Sequence, residues 1–187
     1  MPANSELTHM TEDILKASIR GERLAQKEFY NFFKGKMFVV CLRYAKNRED
    51  AEDMLQEGFI KVFQDLHQYA GAGSLEGWVR KVIVNVALQH LKKQQRLLPT
   101  VEFDNLEISD NTDQELPHLD EPIAKNLIHI LHQMPDGFRT VFNLYVMEGY
   151  THIEIAEILG ISVSTSKTQY LRAKAYMRKM LAKSLTT

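Results

Sequence analysis

The sequence predicts an all-α protein: two small helical domains joined by an acidic flexible linker, the C-terminal one containing a helix-turn-helix. Three observations carry that reading. Few windows alternate apolar and polar residues with the period of two that a strand needs. Gly and Pro gather at a few boundaries instead of punctuating many short segments. Charge is partitioned along the chain: residues 1–96 carry a net +3, residues 97–122 hold eight acids and no Lys or Arg, and residues 123–187 carry a net +4. The overall net charge of −1 conceals this pattern.

Composition narrows the class. A chain of 187 residues with 44% apolar content suits one medium domain or two small ones. No run of about 18 apolar residues is present, so no spanning helix is expected. The first residues, MPANSELTHMTEDILKASIRGERLAQ, lack the apolar core of an export signal. Cys41 is the one cysteine, so an intrachain disulfide is impossible and a reducing cytoplasm fits. Its apolar surroundings mark it as inert core.

The elements follow in order. A first helix is expected from Thr11 to about Ile19. A second runs over Arg23–Phe33 and either continues toward Tyr44 or breaks near Gly35. Asp50 is the expected cap of a third helix reaching Tyr69. AGAGS (70–74) is a loop, and Ser74 caps a fourth helix from Leu75 to about Gln95 with Glu76 in its first turn. Pro99 ends that pattern. Residues 97–122 are acidic, weak in helical period and closed by Pro117 and Pro122, which is a linker composition. The C-terminal domain, 123–187, starts with PIAKNLIHILHQM, stopped at Pro135. DGFRTVFNLYVMEG follows as the next helix, ending at Gly149. No internal repeat is visible.

The chain closes with GYTHIEIAEILGISVSTSKTQYLRAKAYMRKML, Gly149 to Leu181. Thr151 caps a short helix, with Glu154 as its capping-box partner. Ile153, Ala156, Ile158 and Leu159 form the expected apolar face. Small Ala156 permits a close crossing, Gly160 supplies the turn, Ile161 plugs the corner and Ser162 caps the next helix. That spacing is the helix-turn-helix pattern. From Gly160 onward there are six Lys/Arg and no acid. Ser164, Thr165, Lys167 and Thr168 occupy the first turns of the second helix, the part that enters a groove. Short hydroxyls suit phosphates or base edges, Lys167 reaches a guanine edge or a phosphate, and Arg172 and Lys174 grip backbone. A basic hairpin that merely packs is the plainer reading; turn spacing and charge asymmetry together favour DNA. Ser166 departs from the pattern, which usually buries Val or Ile there.

In the N-terminal domain, Leu55, Phe59, Val62 and Leu66 form a core stripe, and Asp53, Gln56, Glu57 and Ile60 lie opposite. An acidic face with one apolar residue suits a basic protein partner. Taken by itself, it reads as an ordinary solvated face. The fourth helix mixes an apolar stripe (Trp78, Val82, Val86, Leu91) with Arg80, Lys81, Lys92, Lys93 and Arg96, and sets Asn85 among apolar neighbours. Asn in such a run caps a neighbour or reads a base. The small-residue loop before it can cup an extruded base. Trp78, at helical spacing, is expected in the core more than as a stacking platform.

Both halves together resemble the extracytoplasmic-function sigma factors of bacterial RNA polymerase. DAEDMLQEGFIKVF and GSLEGWVRKVIVNVALQHLKKQQR resemble the family's region 2. MPDGFRTVFNLYVMEGYTHIEIAEILGISVSTSKTQYLRAKAYMRKML resembles region 4. The likeness runs from about Phe29 to Leu181, the linker excepted. It implies an alternative sigma factor that directs core polymerase to specific promoters and promotes melting of the −10 element. It implies that Asp50, Asp53, Gln56 and Glu57 dock on the polymerase. Lys81, Asn85, Lys92 and Lys93 would serve the single-stranded −10 element, with the 70–75 loop capturing a flipped base. Ser164, Thr165, Lys167, Thr168 and Arg172 would read the duplex −35 element. The linker would thread through polymerase, where an anionic strip occupies a nucleic-acid channel. Core RNA polymerase and promoter DNA are the expected partners, and a membrane-bound anti-sigma factor is common in the family. Val84, Gln169 and Ser166 depart from common family residues and bear on the promoter sequence read.

Two other classes of function fit the sequence less well. A stand-alone repressor would use the same motif as a dimer, yet no dimerisation helix or ligand pocket is evident. An enzyme or metal sensor would need more than His129 and His132 on one helix and His118 in the linker, since no carboxylate or Cys completes a site. No Gly-rich phosphate loop and no nucleophile–base spacing occur, so no catalytic residue, metal, cofactor or small-molecule substrate is expected.

Overall fold

A computed structural model describes residues 12–97 and 122–184. The described elements are all helical. They comprise α1 (residues 12–19), α2 (Arg23–Tyr44), α3 (Arg48–Asp65), a short 3-10 turn (Leu66–Gln68) and α4 (Leu75–Leu97). They continue with α5 (Pro122–His132), α6 (Asp136–Phe142) running into a π-helical turn (Asn143–Met147), α7 (His152–Leu159) and α8 (Val163–Ser184). The chain divides into two compact units, Met1–Pro99 and Thr100–Thr187. Residues 98–121, the interior of the expected linker with His118, lie outside the described residues, while Leu97 ends α4 and Pro122 begins α5.

In the first unit, α2, α3 and α4 pack pairwise against one another. Their shared core is aromatic. Phe29 meets Phe33 and Phe63 with ring centroids 4.8 and 5.7 Å apart, and Tyr30 meets Phe59 at 4.7 Å. α2 does not break at Gly35, which is exposed and meets no neighbouring side chain; the burial of Met37, Val40, Cys41 and Leu42 beyond it holds the helix straight through. Burial also pushes the Cys41 thiol up to about 12, so it is inert packing. Close approach of α3 to α4 depends on Gly58: a Cβ there would collide with the Ile83 side chain.

The cap of α3 is Asn47, not Asp50. Asn47 is extended and its side-chain oxygen accepts the Asp50 N–H at 2.7 Å, leaving Asp50 in the first turn where its charge favours the helix N-terminus. Ser74 does cap α4, its hydroxyl accepting from Gly77 N–H at 3.0 Å. The buried stripe of α4 differs from the expected one. Val79, Ile83, Val84, Val86, Ala87, Leu88 and Leu91 are buried, whereas Trp78 and Val82 are half-buried. The core face is thus centred one residue later than Trp78–Val82 suggests.

The second unit has a smaller core of Ile130, Leu131, Met134, Phe142, Ala173 and Met177. α8 packs on α6, α7 and α5. The core is more polar. Arg139 is buried and its guanidinium donates to Asp136 at 2.6 Å, and Thr140 Oγ1 donates to the Asp136 carbonyl at 2.7 Å. The capping box at α7 is complete: Thr151 accepts from Glu154 N–H, and the Glu154 carboxylate accepts from Thr151 N–H at 2.8 Å. Gly160 ends α7 in the left-handed region (φ 68°), where a side chain is strained. The buried face of α7 is Ile155 and Ala156; Ile153 is 63% exposed. On a helix of two turns, alternate Ile residues cannot both face α8.

Candidate nucleic-acid interface

Helix α8 is organised by its first turn. Ser162 Oγ accepts the Thr165 N–H at 3.0 Å and shares hydroxyl contacts of 2.8 Å with Ser164 and Thr165. Thr168 Oγ1 donates to the Ser164 carbonyl at 2.9 Å. Ser164, Thr165, Lys167, Thr168 and Arg172 are all exposed. The Arg172 guanidinium lies 5.9 Å from the Phe138 ring centre, a cation–π contact that steadies it without neutralising it. Gly137 and Phe138 of α6, with Ser164, Thr165, Thr168, Gln169 and Arg172, line one shallow groove beside the helix. A side chain at Gly137 would crowd the Gln169 amide at 3.2 Å.

Sequence reading passed over Leu171. It is 61% exposed and follows Ser164 and Thr168 on one stripe of α8. An apolar side chain displayed among Lys167, Arg172 and Lys174 has a natural counterpart in a thymine methyl group. The signal was available: Leu171 is out of phase with the buried Ala173 and Met177.

Ser166, the departure from the usual apolar residue, is completely buried. Its hydroxyl lies 2.9 Å from Nδ1 of His152, so the polar group is satisfied. The His152 ring stacks on Tyr145 with centroids 4.5 Å apart and planes 14° apart, and Tyr170 lies 5.7 Å away. Burial, and then the Lys167 charge, hold the imidazole below its ordinary pKa, which favours the neutral ring.

In the first unit, α3 presents Asp53, Gln56, Glu57 and Ile60 outward as expected, with Ile60 59% exposed; Asp50 is half-buried at the head of the helix. On α4, Lys81, Asn85, Lys92 and Lys93 are exposed. Gln89 is exposed one turn beyond Asn85 and completes the polar stripe that the sequence reading drew without it. The family resemblance implies separate surfaces for Asn85 and Glu57. They line a common groove, with Ile60, Lys61, Gln64 and Asp65 from α3 and Val82, Val86 and Gln89 from α4. His90 Nδ1 stands 3.9 Å from Glu57 across the same pair of helices.

The loop before α4 is exposed, and Tyr69 pins it by donating its hydroxyl to the Gly73 carbonyl at 2.8 Å. Tyr69 and Trp78 sit with ring centroids 5.9 Å apart. Trp78 is therefore at the base of the loop and not in the α-helical core. Of the histidines, His129 is exposed and shares a 2.9 Å contact with Gln133. Among the described residues no three His, Cys, Asp or Glu groups come together as a metal site. No described helix is long and apolar enough to cross a membrane.

Comparison with known proteins places both units. Residues 30–97 match the model of sigma-70 region 2, and residues 124–177 match that of sigma-70 region 4. The chain is 29% identical over 152 residues to the ECF RNA polymerase sigma factor SigE of Mycolicibacterium smegmatis, covering 79% of this chain and 58% of that relative. To the ECF RNA polymerase sigma factor SigW of Bacillus subtilis it is 26% identical over 186 residues, covering 92% of this chain and 97% of the relative. Among solved structures, the sigma factor RpoE of Bartonella quintana, crystallised with the anti-sigma factor NepR, is similar in fold. Its TM-score is 0.50 at 16% identity, over 83% of this chain and 96% of that one.

Proposed function

The chain belongs to the extracytoplasmic-function sigma factors of bacterial RNA polymerase, and from that premise we propose how its two units divide the work of promoter selection. As an alternative sigma factor it directs transcription initiation. In this reading residues 1–96 dock on core polymerase and read the −10 element, residues 97–122 link, and residues 123–187 read the −35 element. Asp53, Gln56 and Glu57, with Asp50 at the head of the helix and Ile60 in the middle, form the polymerase contact. An exposed acidic stripe around one apolar side chain supports this, because it favours a basic partner groove and disfavours nucleic acid.

Asn85 and Gln89 present amides in the α3–α4 groove, and Lys81, Lys92 and Lys93 line the same helix. Amides suit base edges and lysines suit phosphates. The loop at 70–74, with Tyr69 and Trp78 at its base, offers an aromatic surface on which an unstacked base can rest. Each captured base offsets the few kcal/mol, roughly, that unstacking costs. Lys167, Thr168 and Leu171 face the −35 bases, while Ser164, Thr165 and Arg172 hold phosphates. The protein works by binding alone, with no covalent chemistry, in the cytoplasm where polymerase and promoters are. An anti-sigma factor, membrane-bound in many family systems, completes the reading by covering these faces.

The observation that carries the proposal is the opposition of two exposed faces in one chain, acidic on α3 and acid-free and basic on α8. Runoff transcription with purified core polymerase on promoters recovered from a randomised pool tests it. The expected result is initiation that depends on both elements. Initiation without the chain, or tight binding of the free chain to duplex DNA with no effect of polymerase, overturns it.

A further inference from the structure

Three described residues of α8 are buried, Ser166, Ala173 and Met177, and Ser166 alone is polar. Ala173 and Met177 fasten the distal half of the helix by apolar contact, which is non-directional. At the N-terminal end Ser166 is the fully buried side chain, with Tyr170 one turn on packed part-buried against Tyr145. The Ser166 hydrogen bond to His152 is directional, since such bonds weaken steeply off axis. His152 is itself fixed. It is the first residue of α7, directly after the Thr151–Glu154 capping box, and its ring is stacked on Tyr145 beside Tyr170.

We propose that His152 is a positioning residue for reading the −35 element: its Nδ1 contact with Ser166 Oγ sets the rotation at which α8 presents Lys167 and Thr168 to DNA. The lever arm makes this matter. With side-chain tips roughly 5 Å from the helix axis, a rotation of about 20° moves them by about 2 Å. Productive geometry tolerates only about 0.5 Å. A buried aliphatic at position 166 would fill space without choosing a rotation. The inference rests on α8 being the −35 reader.

The test uses holoenzyme reconstituted from core polymerase and the full chain. Binding is measured on the best −35 sequence recovered from a randomised pool and on the same promoter with that element scrambled. Ser166→Ala removes the hydroxyl. His152→Phe keeps a ring on Tyr145 but removes the nitrogen. Each is expected to shrink the ratio of the two affinities about fivefold, the size of one net hydrogen bond. The double variant loses no more than either single, because one contact is broken once. His152→Asn, which keeps a nitrogen near the Nδ1 position, recovers most of the ratio. A merely structural role lowers binding to both DNAs equally and tracks the melting temperature. That outcome, an unchanged ratio in a folded single variant, or additive losses in the double, overturns the inference. If His152→Phe does not fold, Ser166→Ala against wild type decides alone. A wild-type holoenzyme with no −35 preference would instead overturn the assignment of α8.

Discussion

The two units solve the same problem, presenting a polar helix face on a small helical scaffold, by different means. The first is held by shape. Phe29, Phe33, Tyr30, Phe59 and Phe63 interlock, and Gly58 lets α3 and α4 close on one another. The second has fewer large apolar groups and relies on aimed polar contacts: Arg139 to Asp136, Thr140 to the Asp136 carbonyl, Ser166 to His152, Tyr176 to the Gln133 carbonyl at 2.9 Å. Shape tolerates small rotations and suits a docking face. Aimed contacts fix rotation and suit the base reading proposed for α8. Trp78, the one tryptophan, lies in the first unit, so its fluorescence follows that unit while helical circular dichroism follows both.

Removing shape from the first unit is expected to have the largest effect. Phe29 is almost fully buried and touches two other rings. Phe29→Ala should cost about 3–5 kcal/mol. The Trp78 transition in urea should move to much lower denaturant. A shift in the helical signal without one in Trp78 fluorescence would contradict the division into units.

Breaking an aimed contact in the second unit comes next. Arg139 is buried, and its short ion pair with Asp136 spans one turn of α6. Asp136→Ala removes that partner and should cost about 3 kcal/mol. Here the helical signal should shift while Trp78 holds its midpoint. The exposed α3 face proposed to dock on polymerase ranks third, and changing it should cost function alone. Glu57→Lys, on an exposed position, should weaken core polymerase binding about tenfold through like charge. Neither melting transition should move. Loss of stability there would mean that the side chain packs and does not dock.

These contrasts also explain what was legible beforehand. Local features with one able candidate are legible in the sequence: the Ser74 cap, the Thr151–Glu154 box, the Gly160 turn, and the periodic exposed face of α3. Asn47 and Asp50 are both able caps three residues apart, and the choice fell to the fold, because α2 ends at Tyr44 and Ala51 and Met54 must turn inward. In α7, Ile153 and Ile155 compete for the inner face, and crossing with α8 decides. The His152–Ser166 contact joins residues fourteen apart and left only a negative trace, a serine where an aliphatic was expected. The same reason hid the α3–α4 groove that brings Glu57 and Asn85 together.

A smaller effect tests whether capping adds to the second unit's rigidity. Thr151→Ala removes an N–H acceptor and should lower stability by about 1 kcal/mol, read as a shift in the helical transition alone. Thr151→Ser, which keeps the hydroxyl, should retain most of that stability.

The smallest expected effect is a pH dependence, and its sign follows from His152. Burial and Lys167 hold its folded pKa below the unfolded value of 6.5. At pH above that value the ring is neutral in both states and folding suffers no proton penalty. As pH falls through 6.5 toward the lower folded pKa, the unfolded chain binds the proton first, so stability drops. The helical midpoint of the second unit should therefore fall with acidification more steeply in wild type than in His152→Asn, which has nothing to titrate there. The two curves should run parallel above neutral pH and diverge below it. Parallel curves throughout would mean that the imidazole gains as much from Tyr145 when charged as it loses to burial and Lys167, leaving the aimed contact insensitive to its proton.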